Sequence, residues 1–295
     1  MKPAPFEYFA PTSVDEALKL LDQHGYDAKV IAGGQSLVPT MNFRLAQPAV
    51  LIDLNRIDTL SFIRVDPQGA LAIGAMTRQS QVERSPLVAE RAPLLSETMP
   101  YIAHRQIRNR GTIGGSLAHA DPAAELPAVM TALDARFRIR DPQGQERLVP
   151  AQDFYIGLFT TALAPNELLT EITIPSLPPR SGWSMQEIAR RMGDYAIVGV
   201  AARVTLDQDG RCAEAQLVYL SVGEGPVAAR QAMASLRGQR PTTALIDQAG
   251  AMAANDDIEP TADIHASVAY RRQLAHVLGV RALRTAFTRA GATVD

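Results

Sequence analysis

The chain has 295 residues and a formal net charge of −2; 46% of its residues are hydrophobic and 5% are aromatic. A charge balance so close to neutral excludes a general nucleic-acid-binding surface, which requires an excess of Lys and Arg, and the few aromatic rings argue against a base-stacking platform. The single cysteine, Cys212, excludes an internal disulfide and any iron–sulfur or zinc site built from cysteines of this chain.

The first third of the chain predicts strands and helices in alternation. A short strand over residues 6–9 precedes Ser13-Val14-Asp15-Glu16, a capping box that starts an amphipathic helix ending near residues 24–25. A buried strand over residues 29–32 follows. Two more strands and one longer helix complete this part, over residues 50–54, 71–75 and 86–103.

The remainder predicts more helices and strands, divided by a proline-rich run over residues 175–182 that is the best domain boundary in the chain. After this boundary we expect antiparallel strands with helices on one face. The elements before it are a helix over 122–133, a hairpin turning at 141–144 and a strand over 167–174. Those after it are strands over 183–190, 197–206 and 215–222, then two or three helices, the last over 270–287.

Two glycine pairs, followed by serine or by Gln-Ser, are the most informative feature of the sequence. They lie in Ala32-Gly33-Gly34-Gln35-Ser36 and in Thr112-Ile113-Gly114-Gly115-Ser116. Adjacent glycines permit positive φ and leave no Cβ to keep a ligand away, and consecutive N–H groups in such turns form a concavity that binds anions. We therefore expect turns, with a positive φ possible at Gly114, that hold a dinucleotide pyrophosphate from two sides. Ordinary turns are the alternative.

Other cofactor and catalytic motifs are absent from the sequence. The chain has no G-x-G-x-x-G fingerprint, no P-loop and no G-x-S-x-G elbow. His104 and His119 flank the second glycine pair without partners at metal-ligand spacing, so we predict solvated loops and no metal site. No catalytic residue is predicted.

Three polar residues leave two readings open. Asp121 and Glu125 fit a helix N-terminus, with Asp121 as its cap, but Glu125 could also accept hydrogen bonds from a ribose. Tyr195, in Gly193-Asp194-Tyr195, fits either a plain turn or a ring on which a flat cofactor packs.

The compartment is predicted from what the sequence lacks. Residues 1–5 show no signal-peptide core, and no apolar run approaches the ~20 residues of a membrane span, so we expect a cytoplasmic chain without a transmembrane segment. Cys212 has no neighbouring histidine and is expected to be a packing residue at a strand edge.

Three stretches together resemble the FAD-binding medium subunit of molybdenum hydroxylases, the family of xanthine dehydrogenase and carbon monoxide dehydrogenase. They are the first glycine motif, the run RNRGTIGGSLAHADPAAE over residues 108–125, and Arg190-Arg191-Met192-Gly193-Asp194-Tyr195. The resemblance extends from about residue 6 to about residue 285, and the long second motif is its most specific part.

The resemblance implies an α+β fold. A two-lobed FAD-binding fold of the vanillyl-alcohol oxidase type would occupy residues 1–177, with lobes over roughly 1–57 and 58–177. A C-terminal α+β domain over residues 178–287 would cover the flavin.

The same resemblance implies a set of FAD-binding residues. Ile102 and Glu125 would lie at the adenosine end, Leu169 along the cofactor and Tyr195 over the isoalloxazine, while the glycine segments would wrap the pyrophosphate and ribityl chain. Family members often have a lysine among the flavin's surroundings, near the position where this chain has Gln186-Glu187. The full implied set is Lys29, Val30, Ile31, Ala32, Gly33, Gly34, Gln35, Ser36, Leu37, Ile102, Ile107, Gly111, Thr112, Ile113, Gly114, Gly115, Ser116, Asp121, Glu125, Leu169 and Tyr195.

Partners also follow from the resemblance. A large molybdopterin-binding subunit and a small subunit with [2Fe–2S] clusters would join this chain in a dimer of heterotrimers, and FAD would pass electrons to an external acceptor. The alternative is a free-standing flavoprotein or a nucleotide-binding scaffold without redox partners.

Overall fold

The computed structural model of the chain describes residues 2–295, and its first unit is a small parallel sheet with two helices. The strands run in the order β1, β3, β2. Ser13 caps α1 as predicted by accepting a hydrogen bond from the Glu16 amide, but the Glu16 carboxylate binds the Thr12 amide and not the Ser13 amide that would complete a capping box. The elements are β1 (Glu7–Phe9), α1 (Val14–His24), β2 (Ala28–Ile31), α2 (Leu37–Asn42) and β3 (Val50–Asp53).

The second unit is an antiparallel five-stranded sheet covered by short helices, with strand order β4, β5, β10, β6, β7. Its strands are β4 (Ile63–Val65), β5 (Leu71–Gly74), β6 (Arg136–Arg140), β7 (Glu146–Pro150), the hairpin pair β8 (Tyr155–Gly157) and β9 (Thr160–Thr161), and β10 (Leu168–Ile174). Its helices are α3 (Gln79–Arg84), α4 (Pro86–Arg91), α5 (Pro93–Thr98), α6 (Arg105–Arg108), α7 (Ile113–His119), α8 (Glu125–Ala132) and α9 (Ala151–Phe154).

Two helix predictions in this unit are wrong. The helix predicted over 86–103 is broken, because Ala92 leaves helical geometry and Pro93, which has no N–H to donate, starts α5. Asp121 does not cap the next helix: its carboxylate accepts a hydrogen bond from the Ala123 amide, and α8 begins only at Glu125. Every residue of α8 is buried, so this helix is a core element.

The third unit is an antiparallel sheet in the order β11, β12, β13, β14, with helices on one face as predicted. Tyr219 is buried between the sheet and α12 and donates a hydrogen bond to the Ala275 carbonyl. Cys212 is buried at the start of its strand, and burial raises the pKa of its thiol to about 11, which fits the predicted packing role. The elements are β11 (Ser181–Ala189), β12 (Ala196–Leu206), β13 (Cys212–Leu220), β14 (Val227–Ala228), α10 (Arg230–Leu236), α11 (Thr243–Met252) and α12 (Val268–Arg289).

The second and third units share a core. All residues of β12 are buried, and side chains on opposite sides of the strand enter different cores. Ala201 joins Met185 and Val218 in the core of the second unit, whereas Val200 and Ala202 pack toward α12. No helix within residues 2–295 has the length and apolarity that crossing a bilayer requires.

Candidate cofactor site

The first glycine pair forms a tight turn between β2 and α2, as predicted. Gly34 has φ of +72°, a conformation that favours glycine. Gln35 Nε2 donates to the carbonyl oxygen of Gly33 at 3.0 Å, and Thr40 Oγ1 donates to that of Ser36 at 2.7 Å. The turn is therefore braced by side chains at its carbonyl oxygens.

The backbone amides of this turn remain available to a ligand. Between Gly33 and Leu37, no N–H group donates a hydrogen bond to any group within residues 2–295. These residues are also partly exposed. Consecutive free N–H groups around a positive-φ glycine form an anion-binding nest, and such a nest suits a pyrophosphate without help from a lysine.

The second glycine pair is not a positive-φ turn, and that expectation is wrong. Gly114 and Gly115 lie in the first turn of α7, capped by Thr112, whose Oγ1 accepts a hydrogen bond from the Gly115 amide at 3.1 Å. The Ile113 and Gly114 amides donate to the carbonyl oxygens of Thr77 and Ala75. Since these donors are already used, the N–H groups of the nest come from the first segment.

Close packing explains the second pair. A Cβ on Gly114 would lie 2.5 Å from the Cβ of Ala75, so Gly114 allows α7 to pack on the end of β5. A Cβ on Gly115 would lie 2.6 Å from Thr112 Oγ1 and 3.3 Å from the Cβ of Ala32. Gly115 thus faces the first segment, and Gly114 faces the core.

The two glycine segments lie in direct contact with each other. A Cβ on Gly33 would lie 2.5 Å from the Arg110 carbonyl oxygen and 2.7 Å from the Gly111 Cα. Glycine at this position therefore permits direct backbone contact between the first and second units. The structure brings together residues that are about 80 positions apart in the sequence.

Arg78, which no sequence motif indicated, joins the two segments. Its Nη1 donates to the Arg110 carbonyl oxygen and its Nη2 to Asn55 Oδ1. Asn55 Nδ2 donates in turn to the carbonyl oxygen of Ala32 at 2.8 Å. No local pattern marks Arg78, because its partners come from distant parts of the chain.

Carboxyl groups and a tyrosine lie beyond the far end of α7. Burial raises the pKa of Glu125 to about 7, and Asp121 raises it further while Arg108 opposes the shift. Burial and the charge of Glu125 raise the pKa of Glu187 to about 8, and Glu187 Oε2 has no hydrogen-bond partner within residues 2–295.

Tyr195 belongs to the same group of residues. Partial desolvation raises its pKa, and the charges of Asp121 and Glu125 add to the effect. Its side chain is 70% exposed on the loop after β11. Gly193, with φ of +85°, supports this loop, because a Cβ there would lie 2.5 Å from His104 Nδ1.

The remaining implied residues differ in their accessibility. Lys29, Val30 and Ile31 form β2, directly before the nest. Ile107 is partly exposed on α6, whereas Ile102 and Leu169 are 7% and 5% exposed and could offer a ligand only a small part of their surface. His119 at the end of α7 has its pKa lowered by burial and senses both Asp121 and Lys29, so it is not the solvated loop residue that was predicted.

These features fit an FAD molecule. The nest supplies neutral donors for a pyrophosphate, and α7, whose seven residues span about 10 Å, separates the nest from the group around Tyr195. An exposed tyrosine ring beyond that spacing can cover a flat ring system.

Comparisons with known proteins agree across the whole chain. Residues 4–177 match the FAD binding domain in molybdopterin dehydrogenase, and residues 183–286 match the CO dehydrogenase flavoprotein C-terminal domain. The chain is 44% identical to the 6-hydroxypseudooxynicotine dehydrogenase complex subunit alpha of Paenarthrobacter nicotinovorans, with 100% of this chain and 99% of that protein covered. It is 40% identical to the carbon monoxide dehydrogenase medium chain of Hydrogenophaga pseudoflava, with 98% and 99% covered.

Solved structures show the same likeness. Carbon monoxide dehydrogenase from Hydrogenophaga pseudoflava, in a form that lacks the Mo-pyranopterin moiety, superposes with a TM-score of 0.94 at 39% identity, covering 98% of this chain and 99% of that one. Quinoline 2-oxidoreductase from Pseudomonas putida 86 superposes with a TM-score of 0.91 at 38% identity, covering 98% and 99%.

Proposed function

This chain belongs to the FAD-binding medium subunits of molybdenum hydroxylases, a family of oxidoreductases, and we propose that it relays electrons from the [2Fe–2S] clusters of a small partner subunit to an external acceptor. The single observation that carries the proposal is the row of free N–H groups between Gly33 and Leu37, which lies against the backbone of the second glycine segment. A dinucleotide pyrophosphate matches this row in charge and in size.

The implied site residues would contact different parts of the FAD molecule. The first segment would hold the pyrophosphate, with Gly115 and Ser116 at the facing wall. Ile102 would lie near the adenosine end, Ile107 would offer its partly exposed side chain to the cofactor, and Tyr195 would cover the flavin ring. Glu125 would accept a hydrogen bond from the cofactor, and residues 178–287 would form the domain that closes over the ring.

The residues of this chain would bind and orient the cofactor, and none of them needs to act as an acid or a base. FAD, when bound, supplies the electron-transfer chemistry. Burial keeps Glu187 largely protonated at neutral pH, so a proton rests on its carboxyl group and no full negative charge faces the neighbouring Glu125. The Tyr195 ring would exclude water from the ring face that it covers.

The proposed partners follow from the names of relatives. Those relatives include a "subunit alpha" of a dehydrogenase complex and carbon monoxide dehydrogenase medium chains. We propose that this chain likewise joins a large molybdopterin-binding subunit and a small [2Fe–2S] subunit, as a dimer of heterotrimers in the cytoplasm. The organic or gaseous substrate would react on the large subunit.

Co-expression with the genes of the two partner subunits tests the proposal. Size-exclusion chromatography, followed at flavin and iron–sulfur wavelengths, should show all three subunits in one peak, and acid should release a yellow flavin into the supernatant. Substrate should bleach the flavin of the complex but not that of the isolated chain. A chain that elutes alone, with a flavin that substrate bleaches directly, would contradict the electron-relay function.

A further inference from the structure

Side chains hold the carbonyl oxygens of three peptide groups whose N–H groups belong to the nest. Asn55 holds the carbonyl of Ala32, Gln35 holds that of Gly33, and Thr40 holds that of Ser36. A trans peptide group is planar, and its N–H points opposite to its C=O. Each of these contacts therefore sets the direction of the following N–H: those of Gly33, Gly34 and Leu37.

The contact at Ala32 differs from the other two because its donor, Asn55, lies 23 residues away along the chain. Asn55 is itself fixed at every polar side-chain atom: Nδ2 also donates to Asp53 Oδ1 at 2.5 Å, and Oδ1 accepts from Arg78. Asp53 is held in turn by the Tyr8 hydroxyl at 2.5 Å. The direction of the Gly33 N–H thus depends on a chain of contacts that ends at Arg78.

Arg78 connects this series of hydrogen bonds to the second glycine segment. One guanidinium nitrogen serves Asn55 and another serves the Arg110 carbonyl oxygen, next to Gly111. The chain segments around Arg78 and Thr112 also pair as an isolated β-bridge, and the Gln79 amide donates to the Gly111 carbonyl at 2.9 Å. The planar guanidinium carries its donors on separate nitrogens in a fixed fork, so each nitrogen binds an acceptor on a different segment.

We propose that Arg78, acting through Asn55, is a positioning residue that fixes the spacing of the two glycine segments and aims the Gly33 N–H at the cofactor pyrophosphate. The inference rests on the proposed binding of FAD at this site. Arg78 has no direct contact with the cofactor in this account. The other possibility, a guanidinium that binds phosphate directly, is an outcome of the test.

The test uses the full chain and measures the FAD dissociation constant for Arg78→Gln, Asn55→Ala and the double variant. Each single variant should weaken FAD binding by about 10- to 100-fold, as expected when a hydrogen bond of a charged group is lost. The double variant should be no weaker than the weaker single variant, because both break the same chain of contacts. Arg84→Gln, on the exposed side of α3, is the matched control and should bind like the parent.

Two further measurements separate positioning from charge and from folding. Arg78→Lys keeps the charge but not the fork, so it should not restore binding, and the phosphorus NMR signals of bound FAD should shift in it. Thermal unfolding without FAD identifies a variant that fails to fold; Asn55→Ala then carries the test.

Several outcomes would overturn the inference. FAD binding within twofold of the parent in Arg78→Gln or in Asn55→Ala would do so, as would single effects that multiply in the double variant. Loss of binding in Arg78→Gln with normal binding in Asn55→Ala would assign Arg78 as a direct phosphate ligand, as would full rescue by lysine. A parent chain that does not bind FAD would instead refute the proposed function.

Discussion

Gly33 touches the backbone of Arg110: a Cβ added to Gly33 would lie 2.5 Å from the Arg110 carbonyl oxygen. Neither partner in this contact can give way as a flexible side chain could, because the contact is with main chain. The close approach of the two glycine segments therefore depends on the absence of a Cβ at Gly33.

Gly33→Ala should weaken FAD binding by about tenfold or more, because separating the segments costs at least one hydrogen bond to the charged pyrophosphate. The free energy of unfolding without FAD should also fall, by about 1–3 kcal/mol, because the added methyl group forces two main-chain segments apart. Fluorescence titration with FAD and urea unfolding measure the two quantities. Gly225→Ala, whose Cβ would meet only Tyr155 Cβ at 3.7 Å, is the control. Equal FAD affinity in the two variants would show that this contact does not control how the two glycine segments are spaced for FAD binding.

The neighbouring glycines of α7 should respond differently from each other. Gly114→Ala places a methyl group against Ala75 in the core and should lower the free energy of unfolding by about 1–3 kcal/mol. Gly115→Ala places it against Thr112 Oγ1 and the first glycine segment, so its main effect should be on FAD affinity. Urea unfolding of both variants without FAD checks this. If Gly115→Ala were the less stable of the two, the assignment of faces would be wrong.

Stability without FAD should fall as pH rises from about 5 toward 8. The pKa of Glu125 is raised to about 7 and that of Glu187 to about 8, each mainly by burial. A carboxyl group with a raised pKa in the folded state favours folding below its unfolded pKa, and this stabilisation is lost as pH rises through the folded value; each pKa unit is worth about 1.4 kcal/mol. The charge of Asp121 further raises the pKa of Glu125, and the charge of Arg108 lowers it. The charge of Glu125 in turn further raises the pKa of Glu187.

Urea unfolding at pH 5.5 and pH 8.5 measures this dependence, and Glu187→Gln should flatten it because the variant cannot ionise at that position. Glu224→Gln serves as a control for the loss of a carboxylate elsewhere on the chain. A parent that is equally stable at both pH values would show that the two carboxyl groups are solvated.

Tyr195→Ala should alter the flavin and leave its affinity nearly unchanged. The residue lies beyond α7, away from the nest, so removing its ring should change the absorption envelope or the reduction potential of bound FAD. Spectroelectrochemical titration measures both. Tyr26→Ala, which removes a 92% exposed ring elsewhere, should change neither. A spectrum and potential identical to those of the parent would reduce Tyr195 to a turn residue.

Local signals in the sequence predicted local structure well. The Ser13 cap, the turn at Gly34 and the strands of the third unit all follow from residues a few positions apart. The α+β fold and the FAD-binding family were predicted from motifs that are themselves local runs.

What the sequence did not predict depends on residues that meet only after folding. The role of Gly114 is set by Ala75, and that of Arg78 by Asn55 and Arg110, in other strands and loops. The raised pKa of Glu187 likewise arises from burial beside Glu125. The helix predicted over 86–103 followed from the apolar spacing and did not take Pro93 into account. Because Pro93 has no N–H to donate, one helix ends before it and another begins at it.

The shared core described for Ala201, Met185 and Val218 has a consequence for how the cofactor is loaded. The unit that carries Tyr195 is joined to the second unit by buried apolar side chains, so swinging it aside like a lid would expose them to water at a cost of about 25 cal/mol for each Å². FAD would therefore enter from the solvent side, where the nest residues are partly exposed and Tyr195 is exposed, with the third unit in place. A chain stripped of FAD should then take the cofactor up again without any movement of the third unit.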